Sequence, residues 1–183
     1  IYGEGGCGKS HLLADAVRKR STNNYKSVFF LGQHFKEQTN PMLTMMQLID
    51  SKDTFEGFLD NLNKIGEQEN SRVVIFIDAL NEGDGKTIWK DHLSGMLEKI
   101  KRFPWIALVM TIRSEYLRHL FIENKELKNE FLRVHHGGFR HIRYEAIKKY
   151  FAFYNIEYME MPFENSEFEN PLFLRLFCEA YQG

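Results

Sequence analysis

The sequence predicts an α/β fold: a central, mostly parallel sheet covered by helices in three layers. Three observations predict it. Short apolar runs at KSVFFL (26–31), RVVIFID (72–78) and IALVMTI (106–112) have the length and continuity of buried parallel strands. Between them, apolar residues recur at helical spacing, and alternation of strand with helix is the mark of βαβ construction. A glycine-rich stretch, GEGGCGKS at 3–10, leads straight into the first helical segment.

The elements follow in order. Residues 12 to 20 continue a helix out of the glycine stretch, and Lys26–Leu31 supplies a strand. A loop with Pro41 precedes a Met-rich helix over 42–50. Asp53-Thr54-Phe55-Glu56 reads as a capping box opening a helix with Phe55, Phe58, Leu59, Leu62 and Ile65 on one face. Arg72–Asp78 is the clearest buried strand. From 86 to 102, Ile88, Trp89, Leu93, Met96, Leu97 and Ile100 repeat at helical spacing. Ile106–Ile112 forms another buried strand, 114 to 132 a helix, and HIRY from 141 a short last strand. Helices are expected at 144 to 154 and from Pro171 onward.

This divides the chain into an α/β core over 1–155 and a second piece over 156–183. The second piece holds an acidic, aperiodic linker (156–171) and the first helix of a helical subdomain. Only Ile1 and Tyr2 precede Gly3, too few for the strand that should carry the glycine stretch. The chain is therefore expected to be a fragment of a longer multidomain protein, its first strand truncated.

Composition narrows the function classes. The 183 residues suffice for one domain with a core, and 43% apolar with 27% charged residues is ordinary for a globular protein. A net charge of −1 supplies no global field for nucleic acid or anionic membrane. No apolar run approaches a membrane span, and no signal segment opens the chain, so no membrane partner is expected. Cys7 and Cys178 form no disulfide framework, and a reducing, cytoplasmic setting is the default. The seven histidines show no i, i+4 pairing with an acid or cysteine.

Gly3-Glu4-Gly5-Gly6-Cys7-Gly8-Lys9-Ser10 matches G-x-x-x-x-G-K-[ST] without a mismatch. Small residues let successive backbone N–H groups curl around a phosphate at a helix N-terminus. Lys9 reaches the β- and γ-phosphates, Ser10 coordinates Mg²⁺, and His11 follows at the edge of the nucleotide-binding stretch. Asp78 closes the RVVIFID strand, where a carboxylate holds a Mg²⁺-bound water opposite Ser10. Glu82, four residues on, is placed to orient and deprotonate an attacking water. IALVMTIR ends at Thr111 and Arg113, whose strand end faces the same crevice in a parallel sheet. Arg113 is the candidate sensor of the γ-phosphate, and Thr111 a candidate for positioning water. NKEL (124–127) lacks the aspartate of a guanine-reading motif, which favours ATP. A local basic patch, Arg133, Arg140, Arg143, Lys148 and Lys149, leaves nucleic acid open as a partner, although its alternation suggests a strand edge.

Taken with FFLGQHF (29–35), IDALNEG, FPWIALVMTIRSEY (103–116), HGGFRHI and NPLFLRLFCEA, the loop gives the chain a family likeness. The sequence resembles the ATPase core of STAND-class P-loop NTPases of the ASCE type, NACHT-like, nearest the bacterial AVAST-type antiviral proteins. The resemblance implies that Gly8, Lys9 and Ser10 bind phosphate and Mg²⁺, Asp78 is the metal-side acid and Arg113 the sensor arginine. Pro171 matches the proline of the family's G-x-P position, beside the nucleotide, with Glu169 and Asn170 in place of the glycine context. Asn81 stands where the family's acidic stretch has a second aspartate. An amide cannot take a proton, so Glu82 remains the base candidate and slow hydrolysis is expected. The resemblance further implies a fused effector domain, a sensor region that binds a protein trigger such as a phage protein, and self-oligomerisation governed by ATP or ADP. Two other readings stay open: a nucleic-acid-dependent motor or AAA-like ATPase, and a nucleotide-binding regulator with negligible hydrolysis.

Overall fold

A computed structural model of the chain describes residues 1–36, 39–122, 126–157 and 165–181. Its elements are β1 (Tyr2–Gly3), α1 (Lys9–Thr22), β2 (Ser27–Leu31), α2 (Pro41–Leu48), α3 (Phe55–Gln68) and β3 (Val73–Asp78). They continue with α4 (Gly85–Ile100), β4 (Ile106–Met110), β5 (Ile112–Arg113), α5 (Ser114–Ile122), α6 (Arg143–Phe153) and α7 (Pro171–Tyr181).

The strands pair in parallel. β3 lies between β2 and β4, with Phe30 opposite Ile77 and Ile75 opposite Leu108. β1 pairs with β5, Gly3 opposite Arg113. Thr111 joins the two ladders: its N–H donates to the Ile77 carbonyl at 3.0 Å, and its carbonyl accepts from Leu80 N–H at 2.9 Å. Beyond β1, Tyr2 N–H donates to Val134 O at 2.9 Å and Tyr2 O accepts from His136 N–H at 2.7 Å. The order across the fold is therefore β2, β3, β4–β5, β1 and the segment 134–136.

Every residue of β3 is buried, because both faces of the sheet are covered. Successive side chains of a strand point to opposite faces. Val73, Ile75 and Ile77 pack with Leu59 and Leu62 of α3 and with Trp89, Leu93 and Met96 of α4. Val74 and Phe76 pack with Leu13 of α1. Each such side chain contributes roughly 1.5–3 kcal/mol when fully buried, which is why the run is continuously apolar. The chain is thus an α/β protein with parallel strands and helices on both faces, compatible with three layers. A third apolar cluster joins Ala146, Ile147 and Phe151 of α6 to Phe168, Leu174 and Cys178. Among the described residues no helix is long and apolar enough to cross a membrane.

Several elements differ from the sequence reading. The strand expected at HIRY is absent: His141 and Ile142 lie in a turn, and Arg143 and Tyr144 open α6. Glu169 O takes Phe139 N–H at 2.7 Å and Phe139 O takes Ile142 N–H at 2.9 Å, which turns the chain before a ladder can form there. The basic patch accordingly sits on a turn and a helix, with the short sheet pairing displaced to 134–136. The capping box is shifted by one residue. Thr54 is the cap, its Oγ1 accepting from Gly57 N–H at 3.1 Å, while Glu56 pairs with Lys99 instead of closing the box. Ile65 is on the exposed side of α3, and Gly66 takes the buried place, where a Cβ would stand 2.8 Å from that of Trp105. The helix expected over 114–132 stops in α5, followed by a 3-10 turn at Glu126–Asn129. Residues 123–125, including the start of NKEL, and 158–164 of the expected linker lie outside the described residues.

Candidate functional site

The glycine stretch forms a tight loop between β1 and α1. Gly6 (φ 77°) and Gly8 (φ 100°) adopt the left-handed backbone that side chains resist. The Lys9 ammonium is buried inside the loop, donating to the carbonyls of Gly3 at 3.0 Å and Glu4 at 2.8 Å and reaching Cys7 Sγ at 3.6 Å. Gly3 is buried beneath it, where a Cβ would stand 2.9 Å from Cys7 Sγ. Ser10 and His11 are exposed in the first turn of α1. Across the loop, the Arg113 guanidinium lies 3.7 Å from where a Cβ on Gly5 would stand. The parallel pairing of β1 with β5 places that arginine there.

The end of β3 is built around Asp78, which is 4% exposed. The Thr111 hydroxyl donates to Asp78 Oδ1 and accepts from Ala79 N–H at 2.7 Å. Thr111, expected to position water, borders the cleft but is itself buried, and its hydroxyl proton goes to this carboxylate. Ala79 turns the chain with a left-handed φ of 54°, and Glu82 N–H returns to its carbonyl at 2.9 Å. Asn81 is buried too, its Oδ1 accepting from Arg113 N–H at 3.0 Å. Glu82 projects from this turn as an exposed carboxylate.

The third wall comes from the second helical piece. Asn170 caps α7, its Oδ1 accepting from Leu172 N–H at 3.0 Å and Phe173 N–H at 3.3 Å, while its Nδ2 donates to Gly5 O at 2.8 Å. Leu172 N–H also donates to Gly6 O at 3.3 Å. His136 lies against the loop, its Nε2 3.5 Å from the place of a Cβ on Gly8. Burial, and then the neighbouring Lys9 ammonium, hold the His136 imidazole below its usual range, so it stays neutral more readily. Tyr150 of α6 is pushed above its usual range, chiefly by burial.

Together these walls enclose a cleft of about 790 Å³ lined by the loop from Gly5 to His11, by Asn81, Glu82, Thr111 and Arg113, and by Pro171. Phe139, Tyr150 and Arg175 also line it, with Phe139 and Tyr150 in an edge-to-face pair at 5.9 Å. Three expected site residues stand outside the lining. Gly3 is buried under the loop, Glu4 faces a neighbouring hollow with Arg140 and Glu169, and Asp78 is buried at the end of β3. The donors available for a divalent cation, the Ser10 hydroxyl and the Asp78 carboxylate, are hard oxygens of the kind Mg²⁺ takes beside phosphate and water. They fit that ion provided Asp78 acts through a water.

Sequence reasoning gave Asn170, His136, Phe139 and Tyr150 no role at the site. Asn-Pro at 170–171 carries a readable signal, since asparagine is a preferred N-cap and proline a preferred first helical residue. The other three come to the cleft only through the pairing of 134–136 with β1 and the packing of α6, which no local pattern reveals. No protein-family pattern matches the chain, and no curated relative matches it.

Proposed function

We propose that the chain is the ATP-binding and slowly hydrolysing module of a STAND-class, NACHT-like P-loop NTPase. In this reading the bound nucleotide governs self-oligomerisation and the output of an attached effector in antiviral defence, triggered by a protein ligand. The observation that carries it is the complete phosphate loop facing Arg113 and Glu82 across one cleft. The strand order adds support, because β5 lies between the loop strand and the acid-bearing strand and delivers Arg113 to the loop.

The residues divide the work as follows. Backbone N–H groups of the loop and the α1 N-terminus receive the phosphates. Lys9 exchanges its loop carbonyls for phosphate oxygens. Ser10 and, through a water, Asp78 would hold Mg²⁺, which would supply neutralisation of phosphate charge. Thr111 keeps the Asp78 carboxylate aimed, Glu82 accepts a proton from the attacking water, and Arg113 contacts the γ-phosphate. Phe139 and Tyr150 offer flat apolar surface to a base.

A second reading, a nucleotide-binding regulator with negligible turnover, draws on Asn81, whose amide oxygen is occupied by Arg113 N–H. The motor reading loses support, since Arg140 and Arg143 of the basic patch both pair with Glu169 at 3.3 Å. Calorimetric titration with Mg-ATP tests the proposal. Binding by the wild type and its loss in Lys9→Ala are expected; equal affinity in both would sink the loop assignment. ATP left intact through an overnight incubation would favour the regulator.

A further inference from the structure

We infer that Asn170 is a positioning residue of the phosphate loop, shaping the phosphate nest from outside without itself touching the ligand. This rests on reading the cleft as a nucleotide site. The peptide bond is planar and trans, so each carbonyl and the following N–H point in opposite directions. Asn170 Nδ2 fixes the Gly5 carbonyl at 2.8 Å, which turns Gly6 N–H the other way. Leu172 N–H fixes the Gly6 carbonyl at 3.3 Å, which turns Cys7 N–H likewise; that N–H makes only a long 3.4 Å bond to Glu4 O within the loop. Two consecutive peptide planes are thus oriented by the N-terminus of one helix, and their N–H groups are those a phosphate in this loop would use.

The approach is close enough to exclude other arrangements. A Cβ on Gly6 would stand 2.8 Å from both Asn170 Oδ1 and Leu172 Cβ, so glycine is required there by contact as well as by its φ of 77°. Asn170 is itself anchored from behind. Glu169 O accepts from Phe139 N–H at 2.7 Å, and the Glu169 carboxylate pairs with Arg140 and Arg143. A Cβ on Gly138 would stand 2.4 Å from Glu169 O, so the turn after 134–136 clamps the same segment. Asparagine suits the position because one side chain supplies both an acceptor for the α7 N–H groups and a donor for the loop. Coupling is reciprocal: if α7 orders the loop for phosphate, phosphate in the loop secures α7.

The test uses Asn170→Ser and Asn170→Asp, both of which retain an N-cap acceptor for α7 and remove the amide donor to Gly5. Without nucleotide, the ¹⁵N order parameters of the Gly6 and Cys7 amides are expected to fall in both variants while α6–α7 stays folded. ATP and ADP affinities in Asn170→Ser are expected to fall together by about five- to tenfold, the scale of one lost hydrogen bond. In the wild type, ADP is expected to slow amide exchange in the first turns of α7. Loop amides as rigid as in the wild type together with unchanged affinities would overturn the inference, as would α7 exchange indifferent to bound ADP. A wild type that binds no nucleotide would remove the functional reading, and the order parameters would still decide the role of Asn170.

Discussion

Replacing Thr111 with valine tests the support of the acidic strand end most directly. Valine matches threonine in shape, so the change removes a hydroxyl and little else. That hydroxyl is fully buried and serves two partners, donating to Asp78 and accepting from Ala79 N–H. A hydrogen bond to a charged group contributes about 1.5–3 kcal/mol, and a buried N–H left without an acceptor costs about 1–3 kcal/mol. Ala79 holds a left-handed φ of 54°, so relaxation of its turn can recover part of that cost. The expected loss is roughly 3 kcal/mol, or about 6–12 °C in melting temperature for a chain of this size. Thr111→Ser keeps the hydroxyl and removes one methyl, an expected loss of only about 1 kcal/mol. Urea unfolding followed by circular dichroism reads both. A valine variant within 1 kcal/mol of the wild type, or a serine variant less stable than the valine one, would refute the assignment.

Other expectations follow from neighbouring geometry. Glu82→Gln should bind ATP as the wild type does and hydrolyse it at least about tenfold more slowly, the low side of general-base effects; an unchanged single-turnover rate would take Glu82 out of the base role. Gly32→Ala should destabilise the fold by about 2–3 kcal/mol by overpacking, because its Cβ would stand 2.0 Å from Ala79 O, a backbone atom that cannot swing aside. Burial and the neighbouring Lys9 ammonium hold the folded-state His136 imidazole below its ordinary range, so the unfolded chain binds the proton more readily. Stability should therefore fall as pH drops below about 6.5, until the folded-state histidine is itself protonated. His136→Gln should flatten that part of the profile, and an identical slope in the variant would assign the dependence elsewhere.

The sequence was most legible where a single physical demand governs a segment. β3 is buried on both faces, and its continuous apolar run says so. In α4, Ile88, Trp89, Leu93, Met96, Leu97 and Ile100 are all buried, as their spacing requires. The loop residues gather at the start of α1 because the glycine pattern admits few other backbones. Legibility failed where the decision belongs to distant partners. HIRY has strand-like composition, yet the Glu169 carbonyl captures Phe139 N–H from thirty residues away and the chain turns. Thr111 reads as a group facing the crevice, and it does border the cleft, but Asp78 at the end of β3 and Ala79 just beyond it share its hydroxyl. Asn170 reads as a departure from a glycine context, whereas the fold uses both ends of its amide.

The way α6 and α7 are attached bears on what a ligand could do to them. Their apolar cluster, from Ala146 to Cys178, is separate from the two clusters on the sheet faces. Among the described residues, the hydrogen bonds between the start of α7 and the loop are Asn170 to Gly5 and Leu172 to Gly6. Each such bond contributes about 0.5–1.5 kcal/mol net, so this attachment amounts to only a few kcal/mol. A shared apolar core would be harder to part, since burying one large side chain contributes as much as two of these bonds. Coupling energies of about 1–3 kcal/mol are typical of ligand-driven transitions and match that attachment. The proposed nucleotide would contact the loop and Pro171 at once, and thus both sides of the junction. A phosphate that strains the Gly5–Gly6 peptides would loosen α7, and one that rewards their orientation would hold it. The γ-phosphate is the group that could make this difference, because it alone would bring Arg113, beside Gly5, into the balance.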